Sequence, residues 1–199
     1  IDDKAGRLAS WLKSVGVKNG DVVSFQMPPW SEFCILYVAC LKVGAVCHPL
    51  PVTFNGEDLV YSMNLVESKA FICPTFHHKT NFEDQFLSVK DEITSLLDGA
   101  FCVHDKTVES HGTITLNEIF ETFEPLKEAP ESNSDEIVLI LSTSGTTGRP
   151  KAVLISHNAL IFSEKTFIKS LHLTRQDVMF MPAPVSYTHL RAHETELHL

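Results

Sequence analysis

Short apolar runs that alternate with helical patterns constrain this 199-residue chain more than any other feature. Runs over residues 21–27, 45–50, 70–73, 100–103 and 137–141 read as strands, being short and mostly apolar. Between them, Ala5, Leu8, Ala9, Leu12 and Val15 recur at helical spacing before Gly16, and residues 31–43 read as a largely buried helix closed by Gly44. Asn55 can cap a helix carrying Leu59, Val60 and Met63. A further helix is expected through Phe86, Val89, Ile93, Leu96 and Leu97, and a short one over residues 116–123. Strands alternating with helices imply an α/β fold with a mainly parallel sheet flanked by helices, whose ligand sites lie at the carboxyl ends of the strands. The acidic segment 124–136, with Pro125 and Pro130, fits a surface connection.

At the carboxyl end of the fifth run stands Leu141-Ser142-Thr143-Ser144-Gly145-Thr146-Thr147-Gly148-Arg149-Pro150-Lys151, followed by a helical pattern over residues 157–167. A strand-to-helix frame is therefore expected to carry the loop. Gly145 and Gly148 permit close backbone approach to a ligand. The hydroxyls of Ser142, Thr143, Ser144, Thr146 and Thr147 can donate to phosphate oxygens, exposed backbone N–H groups can form an anion nest, and Lys151 brings a positive charge. An ordinary Ser/Gly-rich turn is the alternative, but this spacing arises by chance on the order of once in 10^8 positions at typical residue frequencies. Nor is it a Walker loop, since only two residues separate the glycines and Arg149-Pro150 intervenes before the lysine.

On these residues the chain resembles the acyl-adenylate-forming superfamily, which includes acyl-CoA synthetases, luciferase and the adenylation domains of peptide synthetases. Ala152 departs from the family's usual glycine after the lysine. Upstream, residues 20–28, Trp30-Ser31-Glu32-Phe33 and residues 37–46 are similar to the amino-terminal region of these enzymes. Gln26-Met27-Pro28-Pro29-Trp30-Ser31-Glu32-Phe33 and Met181-Pro182-Ala183-Pro184 look closest to bacterial short- and medium-chain fatty acyl-CoA synthetases. The resemblance implies a partial amino-terminal large domain of the adenylate-forming fold over residues 1–184. It implies ATP, Mg²⁺ and CoA as reactants, with a carboxylic acid activated as acyl-AMP and passed to CoA. Thr143, Ser144, Gly145, Thr146, Thr147, Gly148 and Lys151 would bind the phosphates, with Lys151 and Thr143 catalytic and no protein metal ligand in this stretch. Transfer to a carrier protein, or a nucleotide-binding fragment without activity, are the competing implications. The family's adenine, ribose and Mg²⁺ contacts and its carboxyl-terminal lysine are expected beyond Pro184, so the chain alone is expected not to turn over.

Composition narrows the partners. With 16 basic and 25 acidic residues the net charge is −9, which disfavours nucleic-acid or anionic-membrane surfaces. No apolar run reaches the ~18 residues that span a bilayer. Cys34, Cys40, Cys47, Cys73 and Cys102 form no Cys-x-x-Cys pair and mostly lie in apolar segments, so reduced core thiols of a cytoplasmic protein are expected.

Single residues keep two readings each. His157 either orients the loop or simply starts a helix, and Arg149 either meets phosphate or is a solvated charge. Trp30 and Phe33 are expected in the core, His77 and His78 on the surface. Residues 185–199, beginning Val-Ser-Tyr-Thr-His-Leu-Arg-Ala-His, resemble a translated sequencing adapter and read as a non-native tail, so His189, His193 and His198 are not taken as metal ligands.

Overall fold

A computed structural model describes residues 1–105, 112–127, 130–143 and 149–178. The chain runs α1 (Asp2–Ser14), β1 (Val22–Gln26), α2 (Ser31–Val43), β2 (Val46–Leu50), α3 (Gly56–Leu65), β3 (Ala70–Cys73), β4 (Phe76–His77), β5 (Thr80–Asn81), α4 (Phe82–Leu87), β6 (Phe101–Val103), β7 (Ile114–Thr115), α5 (Leu116–Thr122), β8 (Ile137–Thr143), β9 (Lys151–Ser156) and α6 (His157–Ser170). Seven strands form one sheet in the order β7-β6-β3-β1-β2-β8-β9, parallel throughout except for the antiparallel β8–β9 pair. The expected architecture, a mainly parallel sheet flanked by helices, is the one observed.

Side-chain alternation divides the core into two layers. Val23, Phe25, Cys47, Ile72, Cys102, Leu139 and Leu141 pack beneath α1, α2 and α5. On the opposite face Leu50, Phe71, Cys73 and Val103 pack beneath α3 and α4. Phe86 of α4 stacks on Phe71 with ring centroids 4.4 Å apart and sits equally close to Phe101. The connection leaving β1 thus enters a helix on one face and the connection leaving β2 a helix on the other. Neighbouring parallel strands whose connections diverge in this way open a crevice at their carboxyl ends, the habitual ligand position of open α/β sheets.

Local chemistry sets the element ends. Gly44 closes α2 at φ 78°, and the Ala45 amide donates back to the Cys40 carbonyl at 2.9 Å. Asn55 and Asp58 form a reciprocal capping box at α3, as Thr115 and Glu118 do at α5.

Several expectations are corrected. The helix anticipated through Phe86–Leu97 ends at Leu87, followed by a single 3₁₀ turn, Lys90–Glu92. Asn64 of α3 supplies the reason: its amide donates to the Glu92 carbonyl at 2.8 Å and its oxygen accepts from the Thr94 amide at 3.1 Å, giving this backbone partners outside a helix. The loop after β8 does not lead directly into a helix. It is the tip of the β8–β9 hairpin, and α6 begins only after β9. Strand β9 was missed because its inner positions are filled unevenly: Leu154 is exposed and Ile155 buried at a sheet edge. The two-residue strands β4, β5 and β7 carry no periodicity and were also missed.

Candidate phosphate-binding site

Both ends of the hydroxyl- and glycine-rich loop are fixed by the sheet. Ser142 pairs with Ala152 and Thr143 with Lys151, so the loop leaves and re-enters adjacent antiparallel strands at the carboxyl end of β8, beside the β1–β2 crevice. Ala152 sits in regular strand pairing, so the methyl group that replaces the expected glycine meets no conformational demand there. Lys151 is exposed at the loop's exit, opposite the Thr143 backbone. The Thr143 side chain and residues Ser144, Gly145, Thr146, Thr147 and Gly148 lie outside the described residues. Arg149 is exposed, and its guanidinium lies over the ring of Tyr61 on α3, 4.8 Å from the centroid. A cation held on a ring face fixes the loop exit against the helix.

Beneath the loop runs a buried polar series that the sequence reading missed. Ser24 on β1 is in register with His48 on β2, and its Oγ lies 2.8 Å from His48 Nδ1. Ser142 Oγ lies 3.5 Å from His48 Nε2, at the outer edge of hydrogen-bond range. Leu139 stands opposite Cys47, so His48 and Ser142, one and three positions further along their strands, share the other face. Ser24 and His48 are fully buried, and burial lowers the imidazole from its usual 6.5 to about 4, leaving it neutral. Gln26, also buried, donates to the carbonyls of Pro51 (2.9 Å) and Phe54 (3.1 Å), fixing the segment after β2 at the crevice. The available signal was polarity: both faces of a covered parallel strand are normally apolar, yet Ser24, Gln26 and His48 all fall on one face.

Other candidates take ordinary places. His157 is the first residue of α6, at the far end of β9 from the loop, about 20 Å away at ~3.3 Å per residue. Its amide donates to the Glu136 carbonyl at 3.1 Å, and Ser156, not His157, caps the helix, so it starts a helix rather than orienting the loop. Phe33 is buried with its ring edge-on to Phe25 at 5.3 Å. Trp30 is only half-buried, lying 5.3 Å from His77 and 5.1 Å from His104 at the rim of the sheet, and this contact also draws His77 in from the surface.

All five cysteines are free; Cys34 is exposed and the others buried. Burial pushes the Cys47, Cys73 and Cys102 thiols well up, which removes any thiolate nucleophile there. Among the described residues no three His, Cys, Asp or Glu side chains group as metal ligands, and no helix is long and apolar enough to cross a membrane.

Comparison with known proteins accords with this geometry. The AMP-binding enzyme family matches residues 1–194. The medium-chain fatty-acid–CoA ligase of Escherichia coli K12 is 35% identical over 187 residues, covering 94% of this chain and 33% of the ligase. A long-chain-fatty-acid–CoA ligase of Mycobacterium tuberculosis is 26% identical over 181 residues, covering 91% of this chain and 33% of that protein. Among solved structures, ATP-bound MatB from Rhodopseudomonas palustris superposes with a TM-score of 0.76 at 26% identity, over 94% of this chain and 34% of MatB. The chain thus spans about one third of the length of the relatives it matches.

Proposed function

Since the chain belongs to the AMP-binding enzyme family, we propose that it is the amino-terminal part of an ATP-dependent fatty acyl-CoA ligase. The reaction has two steps. A carboxylate attacks the α-phosphate of ATP, releasing pyrophosphate and forming acyl-AMP, and the CoA thiol then displaces AMP. In such chemistry positioning and charge stabilisation matter more than covalent help.

The observation that carries this reading is the hairpin. A loop of hydroxyls and glycines, clamped at both ends by paired strands beside the β1–β2 crevice, presents Lys151 at its exit. In the proposed roles Thr143, Ser144, Thr146 and Thr147 donate hydroxyls to the β- and γ-phosphates, and Gly145 and Gly148 let the backbone approach. Lys151 neutralises charge as pyrophosphate departs, and Mg²⁺ bound with the nucleotide would supply further charge neutralisation. A fatty acid of short or medium length is the proposed substrate, supported by the relative from Escherichia coli.

The test is acid-dependent exchange of labelled pyrophosphate into ATP by the complete polypeptide carrying this chain, with butyrate, hexanoate and octanoate. Exchange is expected, and Lys151→Ala should lower it at least about tenfold, the worth of one charge-assisted hydrogen bond. No exchange with any acid sinks the reading. Residues 1–184 alone, as a partial domain, are proposed not to support exchange. The non-native reading of residues 185–199 is checked by resequencing the source DNA, where the same codons in an independent read would refute it.

A further inference from the structure

We propose that His48 is a positioning residue for the phosphate loop: held by Ser24, it turns the Ser142 hydroxyl into an additional donor towards bound phosphate. The inference rests on the ligase reading only in taking the anion to be the triphosphate of ATP. Ser142 stands one residue before the hydroxyls assigned above, with its backbone fixed by pairing with Ala152.

A neutral imidazole has one donor and one acceptor nitrogen. If Ser24 donates to Nδ1 across 2.8 Å, the Nε2 proton points at Ser142 Oγ, 3.5 Å away. Ser142 then accepts from the ring, and its single proton is released to the loop. In the opposite order the Ser142 proton is spent on Nε2, and only oxygen lone pairs face the anion, which is repulsive. A bound phosphate therefore selects the order Ser24 to His48 to Ser142 to phosphate. Burial keeps the ring neutral in the range where enzymes work, so the order is not lost to a second ring proton. A histidine needed only to fill the core could have satisfied Ser24 alone. Here the second nitrogen faces the half-buried Ser142 hydroxyl at the end of β8.

Two amide variants separate reach from packing. His48→Gln places a donor near the position of Nε2, whereas His48→Asn places its polar atoms near Nδ1 and satisfies Ser24 only. In the complete polypeptide, titration with ATP and separately with inorganic pyrophosphate should show binding weakened at least about tenfold by His48→Asn and by Ser142→Ala, with no further loss when they are combined. His48→Gln should restore binding to within about threefold of wild type. Imidazole ¹⁵N shifts should report the Nε2–H tautomer with pyrophosphate bound. Equal losses in the Gln and Asn variants, unchanged affinity in Ser142→Ala, or an Nδ1–H tautomer in the bound state would each overturn the proposal. Should His48→Asn fail to fold, Ser142→Ala and the tautomer decide it. Pyrophosphate binding that depends on His48 in a protein showing no acid-dependent exchange would refute the ligase reading and leave this one standing.

Discussion

Lowering the pH should cost this protein stability through His48 in an amount that burial of the ring sets. Its imidazole is fully buried between Ser24 and Ser142, and burial lowers it from 6.5 to about 4. Above pH 6.5 the ring is neutral in folded and unfolded chains alike, so it contributes no pH dependence. Between 6.5 and 4 the unfolded chain takes up a proton that the folded chain refuses, and stability falls as pH falls. For one such group the loss is about 1 kcal/mol at pH 5.5 and roughly 2–3 kcal/mol at pH 4.5, levelling near ~3 kcal/mol below pH 4. That is a large share of the ~5–15 kcal/mol typical of a folded domain.

Urea unfolding followed by tryptophan fluorescence can measure this, because Trp11 is buried in α1. Wild type and His48→Gln are compared at pH 7.5, 6.5, 5.5 and 4.5, and only the difference between them is read, so every other titrating group cancels. Whatever offset the substitution itself introduces at pH 7.5, the difference should move in the variant's favour by about 1 and then roughly 2–3 kcal/mol at the two lower values. Parallel curves for the two proteins would show that the ring is protonated in place. The desolvation argument would then be wrong.

Three further substitutions probe the fold and the loop exit. Gly44→Ala should destabilise by about 2 kcal/mol in the same unfolding assay, because φ is 78° and the added Cβ would clash with Asn19 Oδ1 and stand 2.9 Å from Pro130 Cγ; a loss under about 0.5 kcal/mol contradicts this. Ser62→Ala should leave stability unchanged or raise it by up to about 1 kcal/mol, since its buried hydroxyl has no partner among the described residues; a clear loss would reveal one. Arg149→Ala and Tyr61→Leu should each cost about 0.5 kcal/mol without adding, while Tyr61→Phe keeps the coupling because the ring face is retained; additive losses exclude the contact.

What could be read from the chain beforehand follows from how locally each feature is encoded. Helix α2 was placed at both ends because Pro28-Pro29 breaks the preceding strand and Gly44 needs its left-handed conformation. Strand β3 is apolar on both faces, as burial on both faces demands. The phosphate loop was legible because its spacing is rare whatever surrounds it. Features decided by partners distant in sequence were not legible. The helix expected through Ile93 was ended by Asn64, nearly thirty residues upstream, and β9 exists because β8 offers it an edge.

His48 belongs to this second kind, and its case carries a general consequence. In isolation, a histidine in Val46–Leu50 is an unremarkable core residue. Its meaning depends on the register that sets Ser24 beside it and on the parity that brings Ser142 to the same face. A covered parallel sheet has no structural use for polar side chains at its centre, since each must find a partner or lose stability. Here they cluster on one face, on strands adjoining the crevice, and lead to the base of the loop. Departure from the apolar pattern of a parallel strand is therefore itself a sequence signal, and it becomes specific once the strand order shows that the departures are neighbours.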